Sequence, residues 1–241
     1  MGAYRVGVIN FEQGVFVDQA SAGSELAVQI PGPAGELEAV VTRAGASGAL
    51  LGKGYVAVVC HPHPQHSGTM NNKVVTTLVR SYRDLGVPVV RFNFRGVGGS
   101  EGEYDEARGE VDDALAIVEW VSSVCSGSRL LLAGFSFGSA VAAAASFRLA
   151  SVAGISLAHL TLVAPPVERY SYDQGGRFPC SVCVIQGGKD ELVDVPGVYR
   201  WVDGLESEVS LIRFDEASHF FHGALVDFKR LFVGELEGLF G

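Results

Sequence analysis

The amino-acid sequence predicts an α/β protein, with helices on both faces of a mostly parallel sheet in a single domain. Three observations lead there. Continuous apolar runs such as YVAVVC (55–60) and SVCVIQ (181–186) suit strands buried on both faces. Segments with apolar residues at helical spacing alternate with them, the pattern of βαβ units. No Pro/Ser-rich linker and no internal repeat divides the 241 residues, a length that suits one large domain with its own core.

Taken in order, LAVQI (26–30) and LEAVV (37–41) flank a Pro/Gly turn and read as an antiparallel hairpin spanning about 26–43. Residues 12–24 are polar and irregular and receive no assignment. The alternating strand and helix core then runs over about 55–239. After the strand at 55–60, residues 71–85 carry Val74, Val75, Leu78, Val79, Tyr82 and Leu85 on one helical face, and Gly86 and Pro88 end that helix. A strand follows at 88–94, a helix at 110–124, a strand at 130–135 and a small-residue helix at 139–149. Further strands are expected at 155–164, 181–186 and 208–214, with helices at 195–205 and 222–239.

Composition narrows the function classes. Hydrophobic residues make up 48 % of the chain, which excludes wholesale disorder. The net charge is −9 and Lys and Arg are scattered singly, so nucleic acid is not an expected partner. The acids between Glu101 and Asp113 read as a solvated start of a helix, where negative charge meets the positive end of the dipole. The four cysteines give no disulfide framework, and the lone Cys180–Cys183 pair leads into an apolar strand as structural thiols. With no signal peptide and no 18-residue apolar stretch, no membrane association and a cytoplasmic setting are expected.

The most informative string is LLLAGFSFGSAVAAAA. It holds Gly134-Phe135-Ser136-Phe137-Gly138, a G-x-S-x-G between a strand and a helix. In that context a sharp turn lifts a serine above the sheet edge, and the helix N-terminus behind it favours developing negative charge. Ser136 is therefore the candidate nucleophile. It needs a base and an orienting acid, in the chain order Ser, Asp or Glu, His. Of the later histidines, His159 sits inside an apolar strand as a core residue, and His222 adjoins the last helix. His219, in FDEASHFFHG after the last strand, is the favoured base. Asp190, two glycines beyond the strand SVCVIQ, is the favoured acid. Asp194 before Pro196 reads better as a helix N-cap, and Asp173 is a weaker candidate still.

An oxyanion needs two backbone N–H groups. One is expected from Phe137 and the other from the loop HPHPQHSG, where Pro62 and Pro64 have no N–H and His63 is the best donor. His61, His63 and His66 also admit a rival reading as metal ligands of a metal-dependent hydrolase, although the next acid is as far away as Asp84.

Together the strings HPHPQHSGTMNNKVV, VVRFNFRGVGGSEGEYDEARGEVDDALAIVEWV, LAGFSFGS, VIQGGKDELVD and SHFFHG resemble the small lidless bacterial hydrolases of the α/β-hydrolase superfamily, over about residues 55–223. The resemblance implies an eight-stranded, mostly parallel sheet, a Ser136–His219–Asp190 triad and an oxyanion-loop position at His63; no cofactor and no metal are expected. Pro62 departs from the His-Gly common in the broader superfamily. Only 16 residues separate the strand ending near Ala164 from the one at Ser181, too few for a large cap. The expected activity is a serine hydrolase, of carboxylesterase or thioesterase type, acting on a small acyl ester or thioester. A catalytically vestigial binding protein on the same fold is the alternative. Phe135, Phe137, Tyr170, Tyr172, Phe220 and Phe221 are candidate apolar walls, and Arg95 and Lys189 are the basic residues an acyl-CoA would need. The edge strand and final helix are the surfaces on which a homodimer would form.

Overall fold

A computed structural model describes residues 22–241. Most of the unassigned segment 12–24 lies outside the described residues. The chain forms an eight-stranded sheet in the order β1-β2-β4-β3-β5-β6-β7-β8, from β1 (Glu25–Gly32), β2 (Gly35–Thr42), β3 (Tyr55–Cys60), β4 (Val89–Phe92), β5 (Ser128–Phe135), β6 (Ile155–Val163), β7 (Ser181–Gly187) and β8 (Val209–Phe214). The β1–β2 hairpin and the β2–β4 pairing are antiparallel, and β3 to β8 pair in parallel. The hairpin lies at one edge of the sheet, with β1 the terminal strand of the order.

Strand side chains alternate between two cores. Val56, Val58, Leu130 and Leu132 face α2 (Arg108–Val124), α3 (Phe137–Arg148) and α4 (Val195–Asp203). Ala57, Val59, Leu131 and Ala133 face α1 (Lys73–Asp84) and α5 (Leu225–Phe240). A period of two along strands with both faces covered is why YVAVVC and LLLAGF have no polar alternation. Asn72 caps α1, its side chain accepting from Val74 N–H at 2.8 Å. Asp194 does occupy the N-cap of α4, with no side-chain cap bond. No helix among the described residues is long and apolar enough to cross a membrane.

The acidic run is not a uniformly solvated surface. Glu101, Glu103 and Glu106 are exposed, but Glu110 and Asp113 are fully buried. Glu110 Oε1 accepts from Asp105 N–H at 2.9 Å, which lets α2 begin at Arg108 rather than at residue 110. Asp113 holds Arg95 through its main-chain N–H (3.0 Å) and through the guanidinium (2.7 Å). A buried carboxylate needs such a partner, because an unpaired charge away from water is costly. The four cysteines are free, and burial pushes the Cys180 and Cys183 thiols up to about 12, so they are poor nucleophiles.

Candidate active site

The strand order decides where a site can form. From β3 the chain moves outward to β4, then returns to place β5 on the other side of β3. Where the winding reverses, the loops leaving the strand ends diverge and leave a crevice. Cys60 at the end of β3 pairs with Gly134 near the end of β5. The HPHPQH loop and the Ser136 turn therefore leave the sheet side by side.

Ser136 sits between β5 and α3 with φ 54° and ψ −121°, a backbone conformation few L-residues adopt. The turn closes only because its flanks are glycine. A Cβ on Gly134 would meet the Gly138 carbonyl oxygen at 2.0 Å. The Ser136 N–H bonds to the Val163 carbonyl at 2.8 Å, and Ser139 Oγ donates to the Ser136 carbonyl at 2.5 Å while bonding Tyr172 Oη at 2.7 Å. The Ser139 and Tyr172 contacts were not visible in the sequence.

Asp190 and His219 come from loops after β7 and β8, 29 positions apart, and meet. His219 Nδ1 lies 2.8 Å from Asp190 Oδ2, and both side chains are buried. Burial works to raise the Asp190 pKa, but the His219 hydrogen bond and charge, the Leu192 N–H and the Gln186 amide outweigh it and hold the carboxyl below its ordinary range. Gln186 Nε2 donates to Asp190 Oδ2 at 3.1 Å from the end of β7. An ionised Asp190 can only accept, so Nδ1 of His219 is the donor of this bond and Nε2 is left out of it. The His219 ring packs on Phe135, the residue before Ser136, with centroids 5.0 Å apart. Among the described residues no hydrogen bond joins Ser136 Oγ to His219 Nε2, as is common before substrate tightens a site.

The Phe137 and His63 N–H groups have no acceptor among the described residues, and their rings lie side by side at 4.9 Å. The HPHPQH loop is held both by its own backbone and by Phe94 and Tyr104. His61 Nδ1 donates to the Pro62 carbonyl at 2.6 Å and Nε2 accepts from Phe94 N–H at 3.0 Å. Burial pushes the His61 pKa down to about 4, so it is a neutral brace between two loops. His63 Nδ1 accepts from Gln65 N–H at 3.2 Å and Nε2 bonds Tyr104 Oη at 3.2 Å. Among the described residues no group of three or more His, Cys, Asp or Glu side chains is placed to hold a metal ion, which corrects the rival expectation for His61, His63 and His66.

The remaining candidate side chains divide between the core and the surface. Phe135, Phe137, Tyr172 and Phe221 are buried in the core, and only Tyr170 and Phe220 of the six aromatic candidates are partly accessible. Arg95 is committed to the buried Asp113, while Lys189 is exposed and pairs at the surface with Glu216. His159 is buried in β6 and His222 is exposed before α5, away from the Asp190 contact. Asp173 is a structural acceptor for Trp201 Nε1 (2.7 Å). A shallow groove of about 450 Å³ opens between the start of α2, α3 and Tyr170, and it is not lined by Ser136, Asp190 or His219.

Solved structures share this architecture. An α/β serine hydrolase without a lid from Xanthomonas campestris is 37 % identical, with 90 % of this chain and 95 % of that one covered, at a TM-score of 0.82. An α/β serine hydrolase homologue from Coxiella burnetii is 39 % identical, with 88 % and 97 % covered, at 0.80. An uncharacterised protein of Rickettsia prowazekii is 35 % identical over 209 residues, 83 % of each chain. No family model matches the chain. Sheet order, the strained serine turn and these relatives define an α/β hydrolase, and the chain belongs to the lidless α/β serine hydrolases.

Proposed function

We propose that this protein hydrolyses a carboxylic ester or thioester through an acyl-enzyme on Ser136. The observation that carries the proposal is the buried 2.8 Å contact of Asp190 Oδ2 with His219 Nδ1, on an imidazole packed against the residue preceding Ser136. Ser136 Oγ attacks the carbonyl carbon as His219 Nε2 takes its proton. Asp190 stabilises the resulting imidazolium and holds its orientation. The free Phe137 and His63 N–H groups receive the oxyanion, helped by the N-terminus of α3. His219 then gives the proton to the departing alkoxide or thiolate. A water, deprotonated by His219, attacks the acyl-enzyme, and collapse returns Ser136 and releases the acid.

The short connection between β6 and β7 supports a small or exposed acyl substrate. Between Val163 and Ser181 it forms turns and one isolated bridge, Gln174 with Arg177, and no helix. Without a cap there is little to enclose a long acyl chain.

The test is labelling by a fluorophosphonate, read by intact mass. Wild type is expected to gain one adduct, Ser136→Ala none, and His219→Ala one at a rate lower by about 10⁴-fold. A panel of esters and thioesters then assigns the leaving group. A folded wild type that stays unmodified, or a Ser136→Ala protein that labels equally, would overturn the proposal and favour a binding protein on this fold.

A further inference from the structure

The loops after β7 and β8 are zipped together. Gly188 N–H bonds the Phe214 carbonyl at 2.8 Å, Lys189 N–H bonds the Ala217 carbonyl at 2.9 Å, and the Lys189 ammonium pairs with Glu216. Beyond that zipper, two consecutive carboxylates close on one residue. Asp190 Oδ2 takes the His219 side chain at 2.8 Å, and Glu191 Oε2 accepts the His219 main-chain N–H at 3.1 Å.

We propose that Glu191 is a positioning residue for His219: Asp190 sets the ring and Glu191 sets the backbone from which the ring projects. The inference rests on His219 being the base of the proposed reaction. His219 lies in the turn between β8 and α5, outside any helix or strand, two residues before Phe221 in left-handed backbone at φ 52°. A turn residue of this kind has no ladder to hold its Cα. One bond to the imidazole still lets the ring follow any shift of that Cα. A second bond, to the N–H, removes that freedom. Glu191 meets His219 only at the main chain, so it acts through His219 rather than on substrate. The anchor costs little elsewhere, because the Glu191 side chain extends from an exposed position and replaces no core packing.

The experiment is steady-state hydrolysis of p-nitrophenyl acetate by wild type, Glu191→Ala, Glu191→Gln, Glu191→Asp and Ser136→Ala, with thermal unfolding of each. Glu191→Ala is expected to lose about tenfold in kcat with KM within about twofold, the signature of a misplaced base rather than of weaker binding. Glu191→Gln keeps an acceptor oxygen at the same reach and is expected within about threefold of wild type. Glu191→Asp keeps the charge but is one methylene shorter, and is expected to behave like the alanine variant. Wild-type kcat in Glu191→Ala overturns the assignment. So does recovery by Asp and not by Gln, which would make the effect one of charge. Loss of turnover in Ser136→Ala confirms that these comparisons probe the proposed reaction. Full turnover in Ser136→Ala would instead sink the serine mechanism, and the role of Glu191 with it.

Discussion

A Cβ on Gly138 would stand 2.4 Å from the carbonyl oxygen of His61. The first turn of α3 therefore rests directly on the backbone that leads into the HPHPQH loop. The Ser136 turn and the loop carrying His63 are one packed unit, and the second glycine of G-x-S-x-G is the contact between them.

Gly138→Ala should consequently disturb both at once. The methyl has only main chain to push against, and overpacking of that kind costs about 1–3 kcal/mol. Urea unfolding should show that loss, and fluorophosphonate labelling of Ser136 should slow. An unchanged midpoint together with an unchanged labelling rate would show that the contact is slack.

Asp190→Asn keeps the shape of the acid and an oxygen for the Leu192 and Val193 N–H groups, which bond Asp190 Oδ1 at 2.9 Å and 3.1 Å. It removes the charge that faces His219 and permits the wrong tautomer. The expected loss in kcat is on the order of 10⁴-fold with the fold retained, measured by steady-state kinetics beside circular dichroism. A loss smaller than tenfold would mean that Asp190 does not orient the base.

Stability should fall on the acid side through a residue far from this chemistry. His159 is buried in β6, and burial pushes its pKa down to about 4. The unfolded chain, with an ordinary histidine near 6.5, takes up the proton first. The stabilising contribution is therefore complete above about pH 6.5 and is lost as pH falls toward the folded value. His61 behaves in the same way. His159→Gln should flatten the dependence of unfolding free energy on pH in that window by up to one proton, about 1.4 kcal/mol per pH unit. Parallel curves for the two proteins would refute the assignment.

The chain by itself determined the α/β architecture and the candidate residues Ser136, Asp190 and His219. Each of those signals is local. Continuous apolar runs mark strands covered on both faces, G-x-S-x-G marks a strand-to-helix turn, and Asp190 and His219 each follow a strand end closely. Helix limits were legible to within three residues, and the early start of α2 shows the limit of periodicity. That start depends on Glu110 reaching back to Asp105, a side-chain contact that periodicity does not record. What only the tertiary structure decided is who partners whom. Glu110 and Asp113 look like surface acids in sequence, and are buried because Arg95 and the Asp105 N–H come to meet them. Glu191 and Gln186 look like ordinary loop and strand residues, and become supports of His219 and Asp190 because β7 and β8 run parallel and bring their following loops together. Periodicity records which face of an element is apolar. The partner of a polar side chain is set by strand order and register, and those come from contacts between residues far apart in the chain.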